Sequence, residues 1–309
     1  MAAAGSAQIH IQTRAQQGGF NRNADMSPPV QSLSLSLSRL AVAGLALVTT
    51  GICNLTLLAA PRATTTATRT TTDQKPSPAR APPASMPRGE ATRVKVALRL
   101  MPLGASITYG QGSSTGNGYR GDLHDLLTSN GYAVGMVGSR RHGSMEDNAV
   151  EGWPGFLIHE VRSKAEAAVP SRLPNVFLVN AGTNDCAVNL DLDAAGRRID
   201  RLLEYLWTAS PGSTVILSTL LVNLSPPVEA RVGRVNAQIE QVAEDRAAQG
   251  KRIVLVDMHA ADAPQAPDMA DATHPNDAGY SKMAAIWLRG IQEAAAKGFL
   301  NEPKPVPGA

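Results

Sequence analysis

Three stretches of the chain hold residue types that together suit nucleophilic hydrolysis. Ser106 stands in Leu103-Gly104-Ala105-Ser106-Ile107-Thr108-Tyr109-Gly110, a serine in a glycine-flanked turn. Asn184 stands in Asn180-Ala181-Gly182-Thr183-Asn184-Asp185, where a short side-chain amide can donate a hydrogen bond. Asp271 precedes His274 by three residues in Asp271-Ala272-Thr273-His274-Pro275-Asn276. An acid at that spacing, on a loop stiffened by proline, can accept from the ring Nδ1–H and leave Nε2 free as a base. A nucleophile, a base with its orienting acid, and a donor for developing negative charge are what acyl transfer through a serine ester needs. Each stretch alone is weak evidence, because serines cap helices, Asn, Gly and Thr stabilise tight turns, and Asp-x-x-His arises by chance.

Rival chemistries find less support. As a thiol nucleophile Cys186 would need a base beside it, and it reads instead as a small buried apolar residue. With Cys53 as the only other cysteine, there is no disulfide framework, and no Cys-x-x-Cys pair or His/Cys cluster indicates zinc. The glycine-rich run Gly110-Gln111-Gly112-Ser113-Ser114-Thr115-Gly116 lacks the Lys-Ser/Thr of a phosphate loop and the third glycine of the dinucleotide spacing. Thr108 stands where a Gly-x-Ser-x-Gly elbow needs its second glycine, which argues against the α/β-hydrolase family. His124, His142, His159 and His259 have no comparable setting and are assigned structural roles.

The three stretches can work together only if one scaffold gathers them. After residue 95, short apolar runs alternate with longer helical-period segments, the pattern of β-α-β units. Strands are expected at 96–102, 132–137, 175–180, 214–219 and 252–257, and helices at 119–129, 156–169, 193–210, 229–249 and 277–297. The last helix carries Met283, Ile286, Trp287, Gly290 and Ile291 on one face. Residues 96–297 thus form one three-layer α/β domain on a five-stranded parallel sheet. The Pro-rich tail 298–309 is expected to be loose. In such a sheet chemistry gathers at the carboxyl ends of the strands. Ser106, Asn184 and the Asp271–His274 loop all fall on that edge.

With these residues in place, the chain resembles the SGNH, or GDSL-type, hydrolases. Gly104-Ala105-Ser106-Ile107-Thr108 is similar to their first block, Glu151-Gly152-Trp153-Pro154-Gly155 to the second, Gly182-Thr183-Asn184-Asp185 to the third and Asp271-Ala272-Thr273-His274 to the fifth. The resemblance runs in the family's order from Leu103 to about Lys282. Within the family the blocks are most similar to carbohydrate esterases that deacetylate xylan. The resemblance implies a three-layer α/β/α sandwich of flavodoxin-like order. It also implies a serine esterase in which Ser106, Asp271 and His274 are catalytic. The backbone N–H groups of Ser106 and Gly155 and the amide of Asn184 would form the oxyanion hole, with no metal or organic cofactor. The expected substrate is an ester, an acetylated carbohydrate such as acetylated xylan, with a lipid or aryl ester as the alternative. Trp153 is a candidate substrate-binding wall, with packing as its other reading. One position departs from the family pattern: Ala105 replaces the usual Asp of the first block. That departure keeps open a non-catalytic, wall-associated binding protein.

The 309 residues carry a net charge of +3. The first 95 hold ten Lys or Arg against three acids, so the remainder is net −4. The basic footprint of nucleic-acid binding is therefore absent from the domain. Residues 1–39 read as a disordered basic segment. Residues 40–60, LAVAGLALVTTGICNLTLLAA, are 21 uncharged residues after Arg39, the length of a membrane span. They read as a signal anchor or a cleaved signal peptide, the membrane being a partner only if they are uncleaved. Residues 61–95, with eight Thr and six Pro, read as a linker that buries too little apolar surface to fold. The catalytic domain is then expected to be secreted or anchored on the non-cytosolic side. The sequence holds two sequons, Asn54-Leu55-Thr56 and Asn223-Leu224-Ser225. The first lies inside the apolar span, and the second is expected as a glycan acceptor, with Pro226 against it.

Overall fold

The computed structural model describes residues 95–306. The segments expected as basic leader, apolar span and linker, and the first sequon, lie outside the described residues. Among the described residues no helix is long and apolar enough to cross a membrane.

Seven strands form the sheet: β1 (Leu98–Gly104), β2 (Val134–Met136), β3 (Arg140–Arg141), β4 (Ala149–Gly152), β5 (Val176–Asn180), β6 (Thr214–Ser218) and β7 (Ile253–Val256). β1, β5, β6 and β7 follow one another in parallel. β2 and β4 share the other edge of β1, β2 pairing with Leu98–Leu100 and β4 with Leu103 and Gly104. β3 closes that side antiparallel to β4. The five expected strands are all present and parallel, so the parallel core stands, but the sheet is larger than five. β3 and β4 are two and four residues long, too short for a two-residue alternation to show.

The helices are α1 (Ser106–Tyr109), α2 (Tyr119–Ser129), α3 (Ile158–Ala168), α4 (Thr183–Val188), α5 (Ala195–Ala209), α6 (Pro226–Ala248) and α7 (Asp277–Ala296). α7 opens on Asn276, whose side chain accepts from Gly279 N at 3.0 Å, an N-cap. α6 begins with prolines in its first turn, where a missing N–H costs nothing. Two apolar layers sandwich the sheet. Phe177 and Val179 pack with Ile199, Leu203, Val232 and Ile239 of α5 and α6. Leu100 and Leu178 pack with Leu123, Met283 and Trp287 of α2 and α7. Each such side chain contributes about 1.5–3 kcal/mol through burial.

Of the tail, residues 298–306 are described, and they are held down rather than loose. Thr214 Oγ1 donates to Phe299 O at 2.8 Å, Asn175 Nδ2 to Asn301 O at 2.7 Å, and Arg99 Nη1 to Lys304 O at 2.7 Å. Buried polar groups at the amino edge of the sheet need acceptors, and the tail supplies them. A proline-rich composition alone could not reveal that demand.

Candidate active site

Strand order reverses between β1 and β5, so a crevice opens above their carboxyl ends. Gly104 ends β1 with Asn180 opposite it on β5 and Gly152 opposite it on β4. Ser106, Asn184 and Gly155 follow these three residues within four positions, so the register brings their loops side by side. A Cβ on Gly104 would collide with Asn180 O and Thr108 Oγ1, so only glycine lets the strands close here.

Ser106 is the first residue of α1 and is buried. His274 Nε2 lies 2.9 Å from Ser106 Oγ. His274 Nδ1 lies 2.8 Å from Asp271 Oδ2 and 3.0 Å from Oδ1. Asp271 Oδ1 also accepts from the backbone N–H of Thr273 at 2.7 Å and of His274 at 2.8 Å. Burial pushes the Asp271 carboxyl upward, but these hydrogen bonds outweigh it and hold the group below the usual carboxylate range. An ionised Asp271 fixes Nδ1 as the protonated nitrogen and leaves Nε2 able to accept from the serine.

The glycine-rich run after α1 packs against this base. Gly112 has φ +91°, and a Cβ there would lie 2.5 Å from Pro275 O and 3.1 Å from His274 Cβ. Ser114 N donates to Asp277 Oδ1 at 2.9 Å, tying the run to the start of α7.

Asn184 lies in α4, and its Nδ2 donates to Phe156 O at 2.9 Å. A side-chain amide has two N–H groups, so one remains for a ligand. The adjacent Asp185, fully buried, accepts from Ile158 N at 3.0 Å and so caps α3, with Arg198 Nη2 3.1 Å from its other oxygen. This explains why α3 begins two residues later than its periodicity suggested. Gly155 is exposed with φ +82° and open space around a notional Cβ.

Trp153 Nε1 donates to the buried carboxylate of Glu151 at 2.7 Å. Arg140 and Lys164 lie 4.6 and 4.2 Å from the Trp153 ring centroid, and Phe156 stacks at 5.4 Å. The ring is engaged by these neighbours, which favours the packing reading over a free wall. Cys186 is fully buried, and burial pushes its thiol up to about 12. Asn223 Nδ2, the atom a glycan would occupy, is only 6% exposed with its residue and donates to Thr273 Oγ1 at 3.0 Å. The second sequon is therefore closed in the folded domain, a correction to its expected use. Among the described residues no group of three His, Cys, Asp or Glu side chains could hold a metal ion.

Sequence reasoning missed Arg120. It is fully buried and donates to the carbonyls of Tyr109, Gly116, His142 and Asn148 at 3.0–3.2 Å. Desolvation lowers its pKa. It clamps the loop after Ser106 through carbonyls, with no carboxylate in salt-bridge contact among the described residues, and no spacing rule marks such an arginine.

A serine hydroxyl against a histidine and aspartate, at the switch point of a doubly wound sheet, is the arrangement of a serine-type hydrolase. The GDSL-like Lipase/Acylhydrolase family model matches residues 103–282, more than half of the chain. The chain belongs to that family. A multidomain esterase of Ruminococcus flavefaciens is 28% identical over 225 residues, 63% of this chain, and the chain covers 28% of that protein's length. A family 3 carbohydrate esterase of Clostridium thermocellum superposes with a TM-score of 0.58 at 26% identity, covering 65% of this chain and 98% of that one. A carbohydrate esterase family 3 structure from Talaromyces cellulolyticus gives 0.57 at 21% identity over 64% and 99%, a likeness of fold.

Proposed function

We propose that the protein deacetylates an acetylated carbohydrate, such as acetylated xylan, through a Ser106-His274-Asp271 triad. His274 takes the proton from Ser106 Oγ as the oxygen attacks the ester carbonyl, and then gives it to the departing sugar hydroxyl. Asp271 holds the tautomer and stabilises the imidazolium. The N–H groups of Ser106 and Gly155 and the free N–H of Asn184 meet the negative charge on the carbonyl oxygen. Water, deprotonated by His274, then releases acetate and restores Ser106.

The observation that carries this reading is the continuous contact from Asp271 through His274 to Ser106 Oγ at 2.9 Å. The carbohydrate substrate is supported by the likeness to the family 3 carbohydrate esterase of Clostridium thermocellum. Ala105 favours the second reading, binding without turnover, because α1 starts on it with no side-chain cap. Hydrolysis of p-nitrophenyl acetate, followed by acetate release from acetylated xylan, tests both. No hydrolysis of either ester favours the binding protein, and aryl ester alone shifts the substrate class. On this reading the domain works on the non-cytosolic side, where such polymers lie.

A further inference from the structure

Thr273 lies between the proposed acid and base. Its N–H donates to Asp271 Oδ1 at 2.7 Å, and its Oγ1 accepts from Asn223 Nδ2 at 3.0 Å. The next residue, Leu224, donates its backbone N–H to Ala272 O at 2.8 Å. Among the described residues, no other element hydrogen-bonds residues 271–273 from outside their own loop. Asn223 and Leu224 are thus the outside hold on the segment that carries the acid.

Asn223 is itself fixed. Its Oδ1 accepts from Ser225 N at 3.0 Å, and its N–H donates to Glu229 Oε2 at 2.6 Å. The other oxygen of Glu229 lies 2.7 Å from His259 Nε2. His259 N donates to Asp257 Oδ1 at 2.8 Å, which also accepts from Thr219 Oγ1 at 2.8 Å. A chain of hydrogen bonds therefore runs from the ends of β6 and β7, through α6, to Thr273. Asn223 and Thr219 are buried, while Glu229 and His259 are half-buried, and a connected chain of hydrogen bonds favours the one arrangement that satisfies its members.

We propose that Asn223, anchored by Glu229 and His259, is a positioning residue for the His274 base, acting through Thr273 and Asp271. The proposal rests on the triad reading above. Asn223 touches no reacting atom. Its amide sets where Thr273 sits, Thr273 N–H orients the Asp271 carboxylate, and the carboxylate orients the imidazole. Misplacement of a base lowers turnover while leaving ester binding alone.

The test uses the full chain with p-nitrophenyl acetate. Asn223→Ala and Thr273→Val each lower kcat about tenfold with KM held within about twofold. The double variant loses about as much as either single one, because both remove one bond. Thr273→Ser, which keeps the hydroxyl, retains wild-type kcat. Full kcat in a folded Asn223→Ala protein, or multiplicative losses in the double variant, overturns the proposal. Should Asn223→Ala not fold, the Thr273→Val and Thr273→Ser pair decides: equal kcat in the two overturns it. Ser106→Ala as active as wild type overturns the triad reading, and this inference with it.

Discussion

Asn184 Nδ2 donates to Phe156 O at 2.9 Å, which makes the loops after β4 and β5 one unit. On the proposed mechanism the same side chain has two tasks, to hold the Gly155 loop in place and to present its remaining N–H to the crevice. Asn184→Ala is expected to lower kcat by about 10²–10³, the usual cost of one oxyanion donor. Asn184→Asp keeps the shape but sets an oxygen against Phe156 O, and should be no better. Steady-state kinetics on both variants checks this, and near-wild-type kcat in either contradicts it.

Ser106→Ala should abolish esterase activity and leave the melting temperature within a few degrees, because one hydroxyl at the start of α1 contributes little to the core. A serine-directed phosphonate should label Ser106 and spare Cys186, whose thiol is pushed up to about 12 by burial and is not a thiolate near neutral pH. Peptide mass spectrometry locates the adduct, and an adduct on Cys186 would refute the assignment.

The loop that carries His274 also rests on Asp268. Lys282 Nζ donates to Asp268 Oδ2 at 2.6 Å and Gln265 N donates to it at 2.8 Å. These bonds, the lysine first, hold its carboxyl below the usual carboxylate range. A depressed folded pKa adds stability above the unfolded value of about 3.9 and loses it as pH falls through the folded value. Asp268→Asn should therefore melt below wild type at pH 7, with the gap closing as pH drops below about 4. Melting curves from pH 7 to 3 read this out, and a gap that stays constant counts against it.

Gly112→Ala should damage the site without unfolding the domain. The new methyl would meet Pro275 O and His274 Cβ at a backbone position with φ +91°. A loss of at least tenfold in kcat/KM is expected, of the size that displacing a base by a fraction of an ångström produces. Gly250→Ala, also at positive φ but with open space around it, serves as the control for backbone strain alone. Equal kcat/KM in the two variants would show that the contact with His274 is unimportant.

Much of this architecture was legible before any coordinates. α2 runs over the residues its periodicity indicated, Tyr119–Ser129, and α7 ends within one residue of expectation. Both are long enough for a helical repeat to be counted. Ser106, Asp271 and His274 stand out as candidates only in combination, each stretch being weak evidence alone and their shared sheet edge singling them out. α1 and α4, which carry Ser106 and Asn184, are four and six residues long and show no countable period. The supports behind the site were hidden for another reason. Arg120 reaches carbonyls up to 28 residues away, and Asn223 reaches Thr273 across 50. Such bonds depend on three-dimensional proximity, and the only local signal at Asn223 was a sequon, which pointed to a different role.

The docked tail has a practical consequence for how the domain can be attached to other things. Arg99, at the start of β1, donates to Lys304 O, so the incoming and outgoing ends of the described segment meet at the amino edge of the sheet. The crevice with Ser106 lies at the opposite, carboxyl edge. A bead, a carrier domain or a carbohydrate-binding module joined directly at Lys95 or Val306 would therefore attach at the amino edge and leave the crevice at the opposite edge of the sheet.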